Sequence, residues 1–154
     1  MRMSSQVLIG VDANWLVYYL NKNSVFHKRV KKAFEELEKK DVQLVATWQT
    51  FAEFFAIVSD KKRFEHCLKP GQVAGLIKNY IDSDWLQLVF PNIYTGRVFL
   101  KLIEETKPVG QRIHDIFLAA TLISNGVETL LTENVKDFAG TAGLKVMDLE
   151  GTLL

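Results

Sequence analysis

Short apolar, β-branched runs that alternate with helical stretches predict a three-layer α/β/α fold around a mostly parallel sheet. Three observations carry that expectation. VLIGV (Val7–Val11) is a continuous apolar run of strand length, the pattern of a strand buried on both faces. Val30, Phe34 and Leu37 mark one of several stretches with helical spacing that separate such runs. At 154 residues, 48% hydrophobic, the chain has material for one domain, residues 1–154, with a sizeable core. Strands alternating with helices join by right-handed crossovers, which puts helices on both faces of the sheet.

Asp12-Ala13-Asn14 breaks the first strand, and Trp15 to Leu20 reads as a short helix. Ser24 can cap the next helix, whose core stripe is Val30, Phe34 and Leu37. Its other face carries Lys28, Arg29, Lys31, Lys32, Lys39 and Lys40, with Glu35–Lys39 and Glu36–Lys40 in the favourable i,i+4 order. Val42 to Ala46 is a second strand, and Thr47 or Thr50 can cap a helix over Trp48–Val58. Asp60-Lys61-Lys62-Arg63 is a charged break, and Pro70 suits the first turn of a helix reaching about Ile81. Leu86 to Phe90 reads as a strand, Tyr94 to Glu105 as a helix, and Pro108-Val109-Gly110 as a loop.

Asp115 opens an apolar helical run, IFLAATLI, which stops at Asn125-Gly126, where glycine can take the left-handed conformation. The strand ETLLT follows, then a polar turn carrying Thr132, Glu133, Asn134 and Asp137. After a loop over residues 139–143, Leu144 to Met147 is the last strand, and no repeat, low-complexity tract or linker interrupts the chain.

Composition excludes several classes. The net charge of +1 decides nothing about nucleic acid, because a local basic patch is what matters. Cys67 is alone, so there is no disulfide framework and no cysteine zinc site, which suits a reducing cytoplasm. No apolar run reaches the ~18 residues of a membrane span. MRMSSQ has one charge and no hydrophobic export core, so no leader is expected.

Three acids stand at ends or gaps of apolar elements. Asp12 ends the first strand, Glu53 is the one acid in Trp48–Val58, and Asp115 opens IFLAATLI. Each has a plain structural reading: Asp12 as a turn former or cap, Asp115 as a favourable charge at a helix start. Glu53 resists that reading, because Phe51, Phe54, Phe55, Ile57 and Val58 surround it and burying an unpaired carboxylate is costly. Small neighbours, Ala56 and Ala119, leave space beside Glu53 and Asp115. Acids sharing one cavity must raise their pKa values or hold a cation, and all-oxygen ligands suit Mg²⁺ or Mn²⁺ better than zinc.

The order of these pieces resembles the PIN domain: Asp12 after a strand, Glu53 in a helix preceded by Thr-Trp-Gln-Thr, and Asp115 before IFLAATLI. LLTENVKDF is similar to the turn that completes the site in PIN-domain toxins of the VapC type, and the match runs from Val7 to Phe138. The resemblance implies a Mg²⁺- or Mn²⁺-dependent endoribonuclease, usually a homodimer, with a parallel sheet between helices. In the toxin branch it also implies an antitoxin that occupies the site. By position, Asp12, Glu53 and Asp115 would be the core metal ligands. For the fourth acid, the place two residues after the Thr holds Asn134, whereas the place before the Phe holds Asp137. Asp137 is the choice, supported by Thr132 and Asn134, with Glu133 an outside candidate.

RNA would meet basic residues, with Lys61, Lys62, Arg63 and Arg112 the expected contacts and Lys28 to Lys32 either a phosphate track or a solvated helix face. Trp15 can stack on a base or belong to the core, and Tyr18 belongs to the core or a dimer contact. His114 reads as a packing or substrate-contact residue ahead of a general base. Apolar surface near Tyr18–Tyr19 and Phe54–Phe55 exceeds what one small sheet covers, which points to a homodimer. Two rivals are a PIN-fold binding module with little catalysis, and a phosphohydrolase with Asp12 as nucleophile. The second would carry an acid two residues on, where this chain has Asn14.

Overall fold

In the computed structural model, residues 6–152 are described. The expectation of a leader-free start falls mainly on residues 1–5, outside the described residues. Five strands, β1 (Val7–Val11), β2 (Val42–Ala46), β3 (Gln87–Leu88), β4 (Thr129–Leu131) and β5 (Lys145–Met147), form one sheet. Their order is β3-β2-β1-β4-β5 and every pair is parallel. Register follows from Ile9 opposite both Leu44 and Thr129.

Alternation along the strands sends residues to two cores. Ile9, Val11, Leu44, Ala46 and Leu131 face one side. There they pack against α1 (Ala13–Leu20), α2 (His27–Glu38), α3 (Trp48–Val58) and α4 (Pro70–Asp82). Leu8, Val45, Leu130 and Val146 face the other side, covered by α5 (Thr95–Thr106) and α6 (Arg112–Ser124), with Phe138 of the short α7 (Val135–Phe138). A final turn, α8 (Leu149–Thr152), places Leu149 in the first core. Gly10 lets α6 sit close on β1: a Cβ there would lie 3.2 Å from Leu122 Cδ1. The fold is three-layer α/β/α, with a wholly parallel sheet.

Local chemistry explains the boundaries. Asp12 caps α1 by accepting from the Ala13 N–H at 2.8 Å, and Thr47 caps α3 by accepting from the Thr50 N–H at 3.1 Å. α6 stops as expected at Asn125, with Gly126 at φ +78°. Ser24 does not cap α2; its hydroxyl accepts from the Phe26 N–H, closing the turn before the helix. β3 is shorter than the expected Leu86–Phe90, since Pro91 and the turn at Asn92 end the pairing. Because α2 ends at Glu38, Lys39 and Lys40 leave helical spacing, and the pair that forms is Glu36–Lys39 at 3.2 Å.

Packing also corrects the expected apolar surface. Phe54 is fully buried, and Tyr19 stacks on Trp85 at 5.0 Å. The exposed aromatics on that side are Trp48 and Phe55, which line an apolar groove of about 390 Å³ with Ile77 and Ile81. Among the described residues no helix is long and apolar enough to cross a membrane.

Candidate active site

The site forms where the chain changes direction across the sheet. From β1 the chain works outward through β2 and β3, then passes back to β4 and β5 on the other side. The crevice at the carboxyl ends of β1 and β4 is therefore the switch point where open α/β sheets bind ligands. Asp12 is the first residue after β1, and Thr132 the first after β4.

These two residues are joined. Asp12 Oδ1 accepts from the Ala13 N–H, and Oδ2 accepts from the Thr132 hydroxyl at 2.6 Å. The Thr132 oxygen accepts from the Asn14 side-chain amide at 3.2 Å and from the Asn134 N–H at 3.0 Å. Two incoming donors leave the hydroxyl one direction for its own proton, toward Asp12. Asn14 thus has a specific task that its sequence position shows only as an amide in the first turn of α1. It also removes the second acid that a phosphohydrolase built on Asp12 would need.

Asp12 is 4% exposed, and burial raises its carboxyl pKa. The hydrogen bonds from Thr132 and Ala13 work in the other direction, and the charge of Asp137 raises it further. The neighbouring charge felt at Asp12 thus has its own sign. Glu53 is raised first by burial, then by Asp12, Asp115 and Asp137, with Arg63 opposing; Asp115 is raised first by burial, then by Asp137 and Asp12, with Arg112 and His114 opposing. Four acids from β1, α3, α6 and α7 therefore share one field. Gln49 helps assemble it, donating from Nε2 to the His114 carbonyl at 2.7 Å and so tying α3 to the start of α6.

Several expectations change here. Glu53 is exposed at the lip of the cleft, because Phe51, Phe54 and Val58 take the buried stripe of α3. Glu133 turns away: its Oε2 accepts from the Leu149 N–H at 3.2 Å, and its charged neighbours are Asp148, Arg29 and Glu150. Trp15 is fully buried against Phe34, so it belongs to the core and cannot stack on a base. Tyr18 packs on Phe26 at 4.8 Å. Of the basic residues, Arg63 and Arg112 lie near enough for their charges to act on Glu53 and Asp115, while Lys61 and Lys62 lie exposed in the turn that Asp60 closes.

The donor set is all oxygen and short of positive charge at Asp12, which fits a hard divalent cation. Among the described residues, no three His, Cys, Asp or Glu side chains already stand in a geometry that would hold an ion.

No family model matches the sequence, and no curated protein matches it significantly. Solved structures do. The chain is similar to a VapBC2 structure from Rickettsia felis bound to a promoter DNA fragment, at TM-score 0.68 and 18% identity, covering 92% of this chain and 98% of that one. A VapBC-1 structure from Haemophilus influenzae gives 0.65 and 18% identity, over 94% and 99%. The fold is the PIN fold of VapC toxins. A third structure of this fold, the sarcin–ricin loop cleaving toxin VapC20 from Mycobacterium tuberculosis, matches at 0.60 with 12% identity, over 85% of this chain and 93% of that one. At such identities the PIN fold is what is shared, and the cleft of this chain stands on its own residues.

Proposed function

We propose that this protein is a Mg²⁺- or Mn²⁺-dependent endoribonuclease, acting in the cytoplasm as the toxin of a toxin–antitoxin pair. The observation that carries the reading is Asp12: a carboxylate 4% exposed at the switch point of a PIN fold, held by two donors and faced by further acids. Asp12, Glu53, Asp115 and Asp137 would hold a divalent ion there, which would supply an acidified water and offset charge on the scissile phosphate. Asp12 is the rigid ligand, oriented by Thr132, which Asn14 and the Asn134 backbone hold in turn. Glu53, Asp115 and Asp137 would be the remaining ligands. Arg63 and Arg112 lie beside them, placed to take RNA phosphates, with Lys61 and Lys62 further out along the same strand. No protein nucleophile is required, and Cys67 is an exposed free thiol.

Structural neighbours that include VapBC complexes and a sarcin–ricin loop cleaving toxin support both the reaction class and an antitoxin partner. An antitoxin segment would lie over the acids and offer them a basic side chain. Homodimer formation belongs to the same reading, and a strictly monomeric mass in light scattering at tens of micromolar would remove it. The second reading, a PIN-fold binding module, is favoured by the absence among the described residues of an already closed ion geometry. Cleavage decides between them. Purified protein should cut single-stranded or loop RNA with Mn²⁺ and not in EDTA, and Asp12→Asn or Asp115→Asn should abolish cutting while the protein stays folded. Undiminished cutting in EDTA would overturn the metal mechanism.

A further inference from the structure

α2 carries its charges against its own dipole. Its first turn holds His27, Lys28 and Arg29 and no acid, while its last turn holds Glu35, Glu36 and Glu38 and no base. Both placements disfavour the helix, so the basic end needs a reason outside helix stability. Successive helical residues turn by ~100°. With Val30 facing the core, His27 and Lys31 take one flank, Arg29 the opposite flank, and Lys28 and Lys32 the crest.

The His27–Lys31 flank borders a pocket of about 250 Å³, lined by Tyr19, Leu20, Lys22, His27, Lys31 and Tyr80. No carboxylate lines it. Four of its polar groups lack partners: among the described residues Lys22 and Lys31 make no ion pair, and neither phenol hydroxyl is hydrogen-bonded. Burial and the nearby Tyr19 push the Tyr80 phenol up to about 12, so it remains a donor at neutral pH. His27 Nδ1 meets the Tyr18 carbonyl at 3.1 Å and must donate to it, which leaves Nε2 as the free ring nitrogen. Unpaired cations, two donor phenols and aromatic rings in one concave site suit a phosphate with a flat base attached. The opposite flank of α2 faces the turn after β4: Arg29 acts on the Glu133 carboxylate, while the Glu133 backbone N–H donates to Asn14 Oδ1 beside Thr132.

We propose that this pocket holds one nucleotide of an RNA strand whose backbone crosses the α2 crest from the acidic cleft. The assignment rests on the ribonuclease reading and adds to it a second, metal-independent contact. Lys22 and Lys31 take the phosphate, and the Tyr19 and Tyr80 rings wall the base. Lys28 and Lys32 meet the intervening phosphates.

The test is anisotropy of a short fluorescent single-stranded oligoribonucleotide in EDTA, over a salt series. Lys22→Ala/Lys31→Ala, both exposed positions, should keep the wild-type melting temperature and weaken binding about tenfold or more. The slope of log affinity against log salt should fall by about 0.7, the share of one neutralised phosphate on a single strand. Arg97→Ala/Lys101→Ala on α5, across the sheet, should change neither. Equal losses in both pairs, or no loss in either, would overturn the proposal, as would polyglutamate displacing the RNA at equal charge concentration. Wild-type binding that depends on Lys22 and Lys31 without any Mn²⁺-dependent cleavage would sink the ribonuclease reading and leave the pocket standing. Cleavage with binding indifferent to the pair would do the reverse.

Discussion

On the β1–β4 side of the cleft, Asp12 is 4% exposed and both its oxygens accept hydrogen bonds. On the α3–α6–α7 side, Glu53 and Asp137 are exposed and Asp115 half-buried, and among the described residues none of their carboxylates is hydrogen-bonded. The wall is therefore fixed before anything binds, and the lip can move to meet what does. A charged hydrogen bond is worth about 1.5–3 kcal/mol, enough to hold Asp12 in one rotamer against the field of the other acids. Preorganisation at one ligand with freedom at the others would let a single ion gather the cluster, at the cost of leaving the metal-free lip unassembled.

The largest effect should come from breaking the wall's acid. Asp12→Asn should reduce RNA cleavage by at least about a thousandfold, or ~4 kcal/mol of transition-state stabilisation. In melts of wild type, Mn²⁺ at a hundredfold excess over its dissociation constant should add ~2.7 kcal/mol, and the variant should lose most of that response. If Asp12→Asn strongly destabilises the metal-free protein yet keeps the full Mn²⁺ response, Asp12 is only the cap of α1.

Thr132→Val tests whether the wall is truly rigid. It strips Asp12 Oδ2 of its donor and leaves the Asn14 amide and the Asn134 N–H without their acceptor. A loss of ~1.5–3 kcal/mol is expected, lowering the melting temperature by about 2–4 °C per kcal/mol in a domain of this size. Thr132→Ser should restore most of it. A neutral Thr132→Val would mean that solvent, rather than the threonine, orients Asp12.

At the lip, Asp137→Asn should weaken Mn²⁺ binding about tenfold and barely alter the metal-free melt. Glu133→Gln should leave Mn²⁺ affinity alone, because its carboxylate bonds the Leu149 N–H instead. Calorimetric titration of both variants settles which acid completes the site, and the opposite pattern would move it to Glu133.

Much of this architecture was legible in the chain itself. β1, β2 and α3 lie where periodicity and β-branched runs put them, because burial on both faces or along one stripe leaves a plain apolar pattern. Acids at element boundaries pointed to the cleft, since a carboxylate there needs either a cap role or a partner. Asp12 turns out to have a cap role and a place in the cleft as well. What stayed hidden depends on long-range geometry. Asn14 and Thr132 are 118 positions apart, and no local pattern announces their bond. α7 and α8 span 4 residues each, too short for a helical period to show. Glu133 and Asp137 could not be ranked, because the direction of a side chain in a polar turn is set by what it meets, here the start of α8. Trp15 looked available next to Asp12 until α2 laid Phe34 over it.

The smallest effect concerns pH, and it separates wall from lip most cleanly. Asp12, Glu53 and Asp115 have carboxyl pKa values raised first by burial, to which like charge adds: Asp137 acts on Asp12; Asp12, Asp115 and Asp137 act on Glu53; Asp137 and Asp12 act on Asp115. The folded state thus holds these protons more tightly than the unfolded chain, whose carboxyls titrate near ~4. Their contribution to stability is fully present below about pH 4 and is lost as pH climbs through the raised folded values. Asp115→Asn removes one contributor that makes no hydrogen bond among the described residues. In EDTA at neutral pH its melting temperature should match or exceed wild type by up to about 3 °C, since solvent screening keeps the gain below ~1 kcal/mol. The two curves should converge near about pH 4, where the wild-type carboxyl is protonated in both states. Acids elsewhere tilt both curves alike, so the difference isolates the cleft. Asp12→Asn should show a smaller gain, because an asparagine can keep only one of the two bonds that Thr132 and Ala13 donate. If Asp115→Asn instead melts below wild type at neutral pH, with the gap closing toward about pH 4, the ionised carboxylate of Asp115 stabilises the metal-free fold. The lip would then be a set of paired charges rather than acids awaiting an ion.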